Sequence, residues 1–172
     1  MNITIRNLQE NELDEARRIV KLAFGTFLGL PDPMAFGGDA SYPHPRWATD
    51  AEASFGAFLD DRLIGSNFAV VWGSLGFFGP LTVHPDHWES KTGSQLMQPI
   101  MDTFARRNLT HSGLFTFGQS PKHLHLYQKF GFWPRYLTAI GQKEVGQAAP
   151  AVEFSRFSRL PAREKESALS AC

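Results

Sequence analysis

The sequence predicts an α/β (α+β) fold on a single central sheet. The sheet is mixed but mostly antiparallel, with about six to seven strands and about four flanking helices. Three features carry that expectation. Between Ala51 and Val83, strand-like apolar runs follow one another through tight polar turns. Gly79–Met97 (GPLTVHPDHWESKTGSQLM) then passes from a strand through a short polar loop into an amphipathic helix. Beyond it, Ser120-Pro121 opens a further helix that Gly131 closes, flanked by two more strand-like runs.

In order, Ile3-Thr4-Ile5-Arg6 alternates and reads as a short first strand. Leu13, Ala16, Val20, Ala23, Phe24 and Phe27 recur at helical spacing between Glu12 and Leu28, and Gly29 and Pro31 stop that helix. Residues 29–46 hold four prolines and Gly37-Gly38 without periodicity, so they read as a long loop. A loop of that length is a lid or substrate contact as readily as a plain connection. Ala51–Leu59 and Leu63–Trp72 form a hairpin about Asp60-Asp61-Arg62. After Gly73-Ser74, Leu75–Val83 is a third antiparallel strand. Pro80 lies inside it; proline cannot donate to a ladder, so it marks a bulge or an unpaired edge.

The helix beginning near Gly93 places Leu96, Met97, Ile100, Met101 and Phe104 on one face, and Pro99 predicts an interruption. Gly113–Gln119 reads as a strand, and Ser120 and Pro121 take the N-cap and first positions of the next helix. Phe132–Ile140 is a strand, 141–150 a loop and Ala151–Phe157 a last strand. Residues 1–160 make one domain, and 161–172 a tail that reads as a helix cut off without a cap.

Composition narrows the function classes. The chain has 172 residues, with 17 basic and 17 acidic side chains and no basic block, which argues against a general nucleic-acid binder. Its apolar runs are too short for a membrane span, and the N-terminus lacks a signal pattern. Cys172 is the lone cysteine, so a cytoplasmic setting without internal disulfides is expected. The 15 phenylalanines imply a core of large rings or an aromatic-lined pocket. His123 and His125 point apart on a helix and have no third ligand nearby in sequence, so no metal is expected.

A strand, a tight loop and a helix N-terminus in that order form an anion site, because the first helical turn offers unpaired N–H groups and the positive dipole end. Two segments make the reading specific. LTVHPDHWESKTGSQLM is similar to the strand–loop–helix of the GNAT superfamily of acetyl-CoA-dependent N-acetyltransferases. SPKHLHLYQKFGFWPR resembles that family's helix with a Leu-Tyr-x-Lys-x-Gly-Phe ending, matched closely by Leu126–Phe132, and the likeness covers residues 3–158.

The resemblance implies a sheet splayed between its fourth and fifth strands, with acetyl-CoA as cosubstrate. The pantetheine arm would lie along Leu81, Thr82 and Val83, whose N–H groups would also meet the oxyanion. The pyrophosphate would sit on Trp88, Glu89, Ser90, Lys91, Thr92, Gly93 and Ser94. Ser120 and His123 would contact the coenzyme from the second segment, and Tyr127 would be the general acid that protonates the leaving thiolate. The family loop reads Gln or Arg, two residues, Gly, one residue, then Gly or Ala; here those positions are Trp88, Lys91 and Gly93, and only Gly93 fits. Lys91 replaces a glycine that allows close phosphate approach, and Glu89 adds a negative charge beside it.

Asp50, Glu52 and His84 are the titratable groups weighed as general base, alongside proton loss through water. The expected activity is transfer of an acetyl group by direct attack of a primary amine, on a small molecule or a peptide. A GNAT-fold domain that binds coenzyme A or another ligand without transfer is the alternative; a partner-binding domain that has lost the coenzyme is a third. Oligomeric state stays open, a homodimer included.

Overall fold

Alternating apolar residues pair as expected from the N-terminus onward. In the computed structural model, which describes residues 3–138 and 157–170, β1 (Ile3–Asn7) lies antiparallel to β2 (Ser54–Leu59), and β2 to β3 (Arg62–Trp72). Asp60 and Asp61 carry the β2–β3 hairpin at φ 47° and 63°, the paired left-handed residues of a turn whose twist matches its strands. The expected strand Leu75–Val83 is divided into β4 (Leu75–Phe78) and β5 (Thr82–Val83), both antiparallel to β3. The division falls at Gly79-Pro80-Leu81, where Pro80 has no N–H to give and Gly79 takes φ 124°.

The remaining strand, β6 (His111–Gly113), is parallel to β4, giving the order β1-β2-β3-β4-β6 with β5 on β3. Pairing of β4 with β6 ends at Phe77 and Gly113. Beyond that point β5 stays with β3 while residues 114–117 leave the ladder. This is the splay expected between the fourth and fifth strands, the fourth being β4 and β5 together and the fifth beginning in β6. The strand expected over Gly113–Gln119 is correspondingly short: β6 ends at Gly113, and no strand among the described residues pairs with residues 114–117.

Helices cover both faces: α1 (Leu13–Phe27) and α2 (Pro43–Thr49) on one, α3 (Thr92–Arg106) and α4 (Pro121–Gln128) on the other. Leu13, Ala16, Phe58 and Phe68 make the core under α1. Phe78, Leu96, Met97, Ile100, Phe104 and Tyr127 make the core under α3 and α4. The loop expected over 29–46 contains a 3-10 turn at Pro33–Ala35 and the start of α2, with Pro43 in its first turn, where a missing N–H costs nothing. That turn lies against α1 so closely that a Cβ on Gly25 would stand 2.2 Å from the Pro33 carbonyl oxygen. α3 runs through Pro99 without the expected interruption. The carbonyl deprived of an N–H partner is that of Gln95, an exposed residue within reach of water.

Residues 132–138 form no strand, contrary to expectation, and Trp133 and Tyr136 are exposed. Residues 139 and 140, the loop 141–150 and 151–156 of the expected last strand lie outside the described residues, and Phe157 belongs to a 3-10 turn. Residues from Leu137 onward form a unit of their own, which holds the exposed helix α5 (Ala162–Ser170). No described helix is long and apolar enough to cross a membrane.

Candidate active site

The gap opened by the splay is edged first by β5. His84 N–H donates to the Ile64 carbonyl at 2.8 Å, and Thr82 pairs with Ser66 across the ladder. Strand alternation therefore turns the peptide groups of Leu81 and Val83 away from β3 and into the gap. Thr82 does not share that role: its peptide belongs to the ladder, and its buried hydroxyl lies 3.4 Å from Ser66 Oγ. The Val83 carbonyl accepts from Trp88 Nε1 at 2.7 Å, so the loop folds its own indole back onto the strand it leaves.

The loop itself carries two non-glycine residues in left-handed backbone and is tied by its side chains. A 3-10 turn at Pro85–His87 follows β5, capped by His84 Nδ1 accepting from the Asp86 N–H. Glu89 and Lys91 both take left-handed backbone at φ 64°. Lys91 thus supplies the positive φ of the missing glycine, at about 1 kcal/mol of strain for a residue with a Cβ. Ser90 Oγ donates to the His87 carbonyl at 2.5 Å and meets Thr92 Oγ1 at 2.7 Å. Lys91 is the N-cap of α3 and makes no side-chain cap; the first backbone bond of the helix runs from Gln95 N–H to the Lys91 carbonyl. The N–H groups of Thr92, Gly93 and Ser94 precede that bond and are the helix-terminal donors.

α4 forms the opposite wall. A Cβ on Gly93 would lie 3.5 Å from Leu126 Cδ2, so the start of α3 and the body of α4 are neighbours. Ser120 is the buried N-cap residue of α4, yet its hydroxyl makes no cap bond, so the structural reason offered by sequence for a serine there is absent. Lys122 pairs with Glu89 across the mouth between loop and helix. His123 lies 5.0 Å from the Phe27 ring; its Nδ1 is buried without a partner among the described residues, and burial holds the imidazole below its ordinary pKa. Phe24, Phe27 and Phe117 continue this aromatic wall from α1 to the splayed segment.

Tyr127, one turn beyond His123, is only 9% exposed and meets Phe78 edge-on at 5.8 Å. Burial pushes its phenol up to about 12, against the opposing effect of a hydrogen bond with Thr116 on the splayed segment. The phenol therefore keeps its proton throughout the working pH range.

The groups weighed as base fare differently. Asp50 is held by Arg107, whose Nη2 donates to Oδ1 at 3.0 Å, and exposed Glu52 lies 3.7 Å from the same guanidinium. Both belong to an ion-pair network at the end of α3. His84 is held below the ordinary imidazole value by burial and Arg18, with Asp86 opposing, and its Nδ1 is spent on the turn. It lines a cleft of about 460 Å³ with Arg18, Arg62 and His87, which includes none of Leu81, Val83, Ser120 or Tyr127. That cleft is separate from the splay.

A sequence profile of the acetyltransferase (GNAT) family matches residues 22–132, more than half of the chain and the whole of both walls just described. The chain belongs to the GNAT acetyltransferase family. Among curated proteins no relative matches this GNAT chain. Among solved structures it is similar to protein PH1933 of Pyrococcus horikoshii OT3, at 21% identity and a TM-score of 0.67 over 81% of this chain and 94% of that one. It is also similar to the PaiA N-acetyltransferase of Thermoplasma acidophilum in complex with coenzyme A, at 18% identity, TM-score 0.65, over 76% and 89% of the two chains. Ard1 of Thermoplasma volcanium gives 15% identity and a TM-score of 0.63 over 78% and 84%. At these identities the likeness concerns the fold. For this GNAT member, acetyl transfer is the family's activity; the partners in that transfer must come from its own residues.

Proposed function

We propose that this GNAT chain is an acetyl-CoA-dependent N-acetyltransferase acting on a primary amine of a small molecule or a peptide, with Tyr127 as general acid. The observation that carries the reading is the placement of Tyr127 on α4, buried and edge-on to Phe78 at 5.8 Å, where β4 gives way to the gap. The residues fit the coenzyme: Leu81 and Val83 turn peptide groups into the gap, and Thr92, Gly93 and Ser94 present helix-terminal N–H groups beside it. Acetyl-CoA supplies an acetyl thioester whose carbonyl carbon is open to an amine. Leu81 and Val83 N–H groups hold the arm and the carbonyl oxygen, as pre-aimed donors do for developing negative charge. Trp88, Glu89, Ser90 and Lys91 shape the loop, Thr92, Gly93 and Ser94 receive the pyrophosphate, and Ser120 and His123 border the arm from α4. Thr82 contributes through its place in the ladder. Tyr127 gives its proton to the departing sulfur, and the amine loses its proton to water, since Asp50 and Glu52 are tied to Arg107.

Calorimetric titration with acetyl-CoA and release of free thiol with a panel of amines test this reading. Binding plus thiol release that Tyr127→Phe abolishes supports it; absence of binding at millimolar coenzyme defeats it. The strained Lys91 and the Glu89–Lys122 pair favour one second reading, a domain that binds coenzyme A without transfer. Binding with no acetyl transfer to any amine would select it.

A further inference from the structure

Glu89 and Lys122 form an ion pair that ties the loop before α3 to the first turn of α4. The pair spans the entrance between the two helix N-termini. Glu89 takes left-handed backbone at φ 64°, a conformation unfavourable for a residue with a Cβ. Lys122 in turn holds the Glu89 carboxyl below its ordinary range. Glu89 lies three positions before Thr92, so a negative group already sits on the loop that leads into the N–H groups of Thr92, Gly93 and Ser94. Both side chains are mostly in water, 81% exposed for Lys122 and 74% for Glu89, so their partnership is exchangeable.

Resting on the coenzyme reading above, we propose that Lys122 is a phosphate ligand of coenzyme A. Glu89 is the anion that occupies Lys122 in the free protein and is displaced when the phosphate arrives. A phosphate carries more charge and more acceptor oxygens than a carboxylate, so the exchange runs toward the coenzyme. It leaves Glu89 unpaired beside a phosphate, a repulsion that weakens binding and shrinks with salt.

The two partners therefore have opposite effects, which distinguishes displacement from an idle surface pair. Calorimetric titration of coenzyme A into the wild type, Glu89→Gln and Lys122→Gln is the test. At low salt, Glu89→Gln is expected to lower Kd about fivefold and Lys122→Gln to raise it about fivefold, with both differences collapsing at about 0.5 M salt. Unchanged melting temperatures without ligand would exclude misfolding, as befits two exposed side chains. Equal Kd values in all three proteins, or shifts of the same sign, overturn the displacement and leave the coenzyme reading intact. Absence of binding in all three overturns the coenzyme reading and this proposal together.

Discussion

The two walls of the gap are made differently. The loop wall, from His84 to Lys91, is largely exposed, strained and held by polar side-chain contacts: Trp88 on Val83, Ser90 on His87, and Glu89 on Lys122 of α4. The α4 wall is anchored in the core, with Tyr127 packed edge-on against Phe78 and His123 against Phe27. A buried helix fixes the position of a proton donor, as chemistry requires. A loop of exchangeable polar contacts can yield to an incoming anion. The difference teaches that the two walls tolerate departures from the family pattern unequally. The loop retains its left-handed backbone with Lys91 in place of glycine, whereas Tyr127 has a dry setting that a change of residue would disturb.

The sharpest way to break this contrast is at Tyr127. Tyr127→Phe keeps the ring and loses only the hydroxyl, so kcat for acetyl transfer is expected to fall about 100-fold or more while coenzyme Kd changes little. An unchanged kcat would make the tyrosine a packing residue alone. The second effect concerns pH. The folded phenol titrates at about 12 against an ordinary 10.0. Up to pH 10 both states are protonated, and above it the unfolded chain ionises first. Stability is therefore lost as pH rises from 10 toward 12, by about 2–3 kcal/mol. Denaturant unfolding should show that loss in the wild type and a shallower one in Tyr127→Phe; parallel curves would mean a solvated phenol.

On the loop side the expected effects are smaller. Lys91→Gly removes the strain of a left-handed residue with a Cβ, and a gain of about 1 kcal/mol is expected in chemical denaturation, with coenzyme binding equal or tighter. A loss of coenzyme affinity would mean that the ammonium, not the backbone, serves the phosphate. Trp88→Phe deletes the donor to the Val83 carbonyl and is expected to lower stability by about 0.5–1.5 kcal/mol. Raised coenzyme Kd should accompany it, since the loop is no longer pinned to β5; equal Kd values would show that the indole does not position the loop.

Much of the scaffold was legible because local pattern and tertiary demand agree. The hairpin about Asp60-Asp61, the helical face of α1, and the apolar stripe Leu96–Met97–Ile100–Phe104 follow from periods of two and 3.6. Pro80 announced the break between β4 and β5, since its missing N–H is visible in the chain itself. Other features were not legible in this way. Residues 114–117 have strand composition, yet no strand among the described residues pairs with them. Ser120 has the capping residue type and position, but its hydroxyl makes no cap bond. Pro99 signals a break that α3 avoids because the bereft carbonyl is on an exposed turn.

The same division holds for the site. The sequence alone determined that a strand, a polar loop and a helix N-terminus lie in succession, and that Tyr127 follows on a helix begun by Ser120-Pro121. Those are relations between residues close in the chain, set by turn chemistry and periodicity. Only the tertiary structure decided that Glu89 and Lys122, 33 positions apart, meet across the entrance. It likewise decided that Asp50 and Glu52 are engaged by Arg107 and that the Tyr127 phenol sits dry enough to hold its proton to about 12. Such facts depend on which distant side chains share a surface and how much water remains between them, and chain-local pattern carries no record of either.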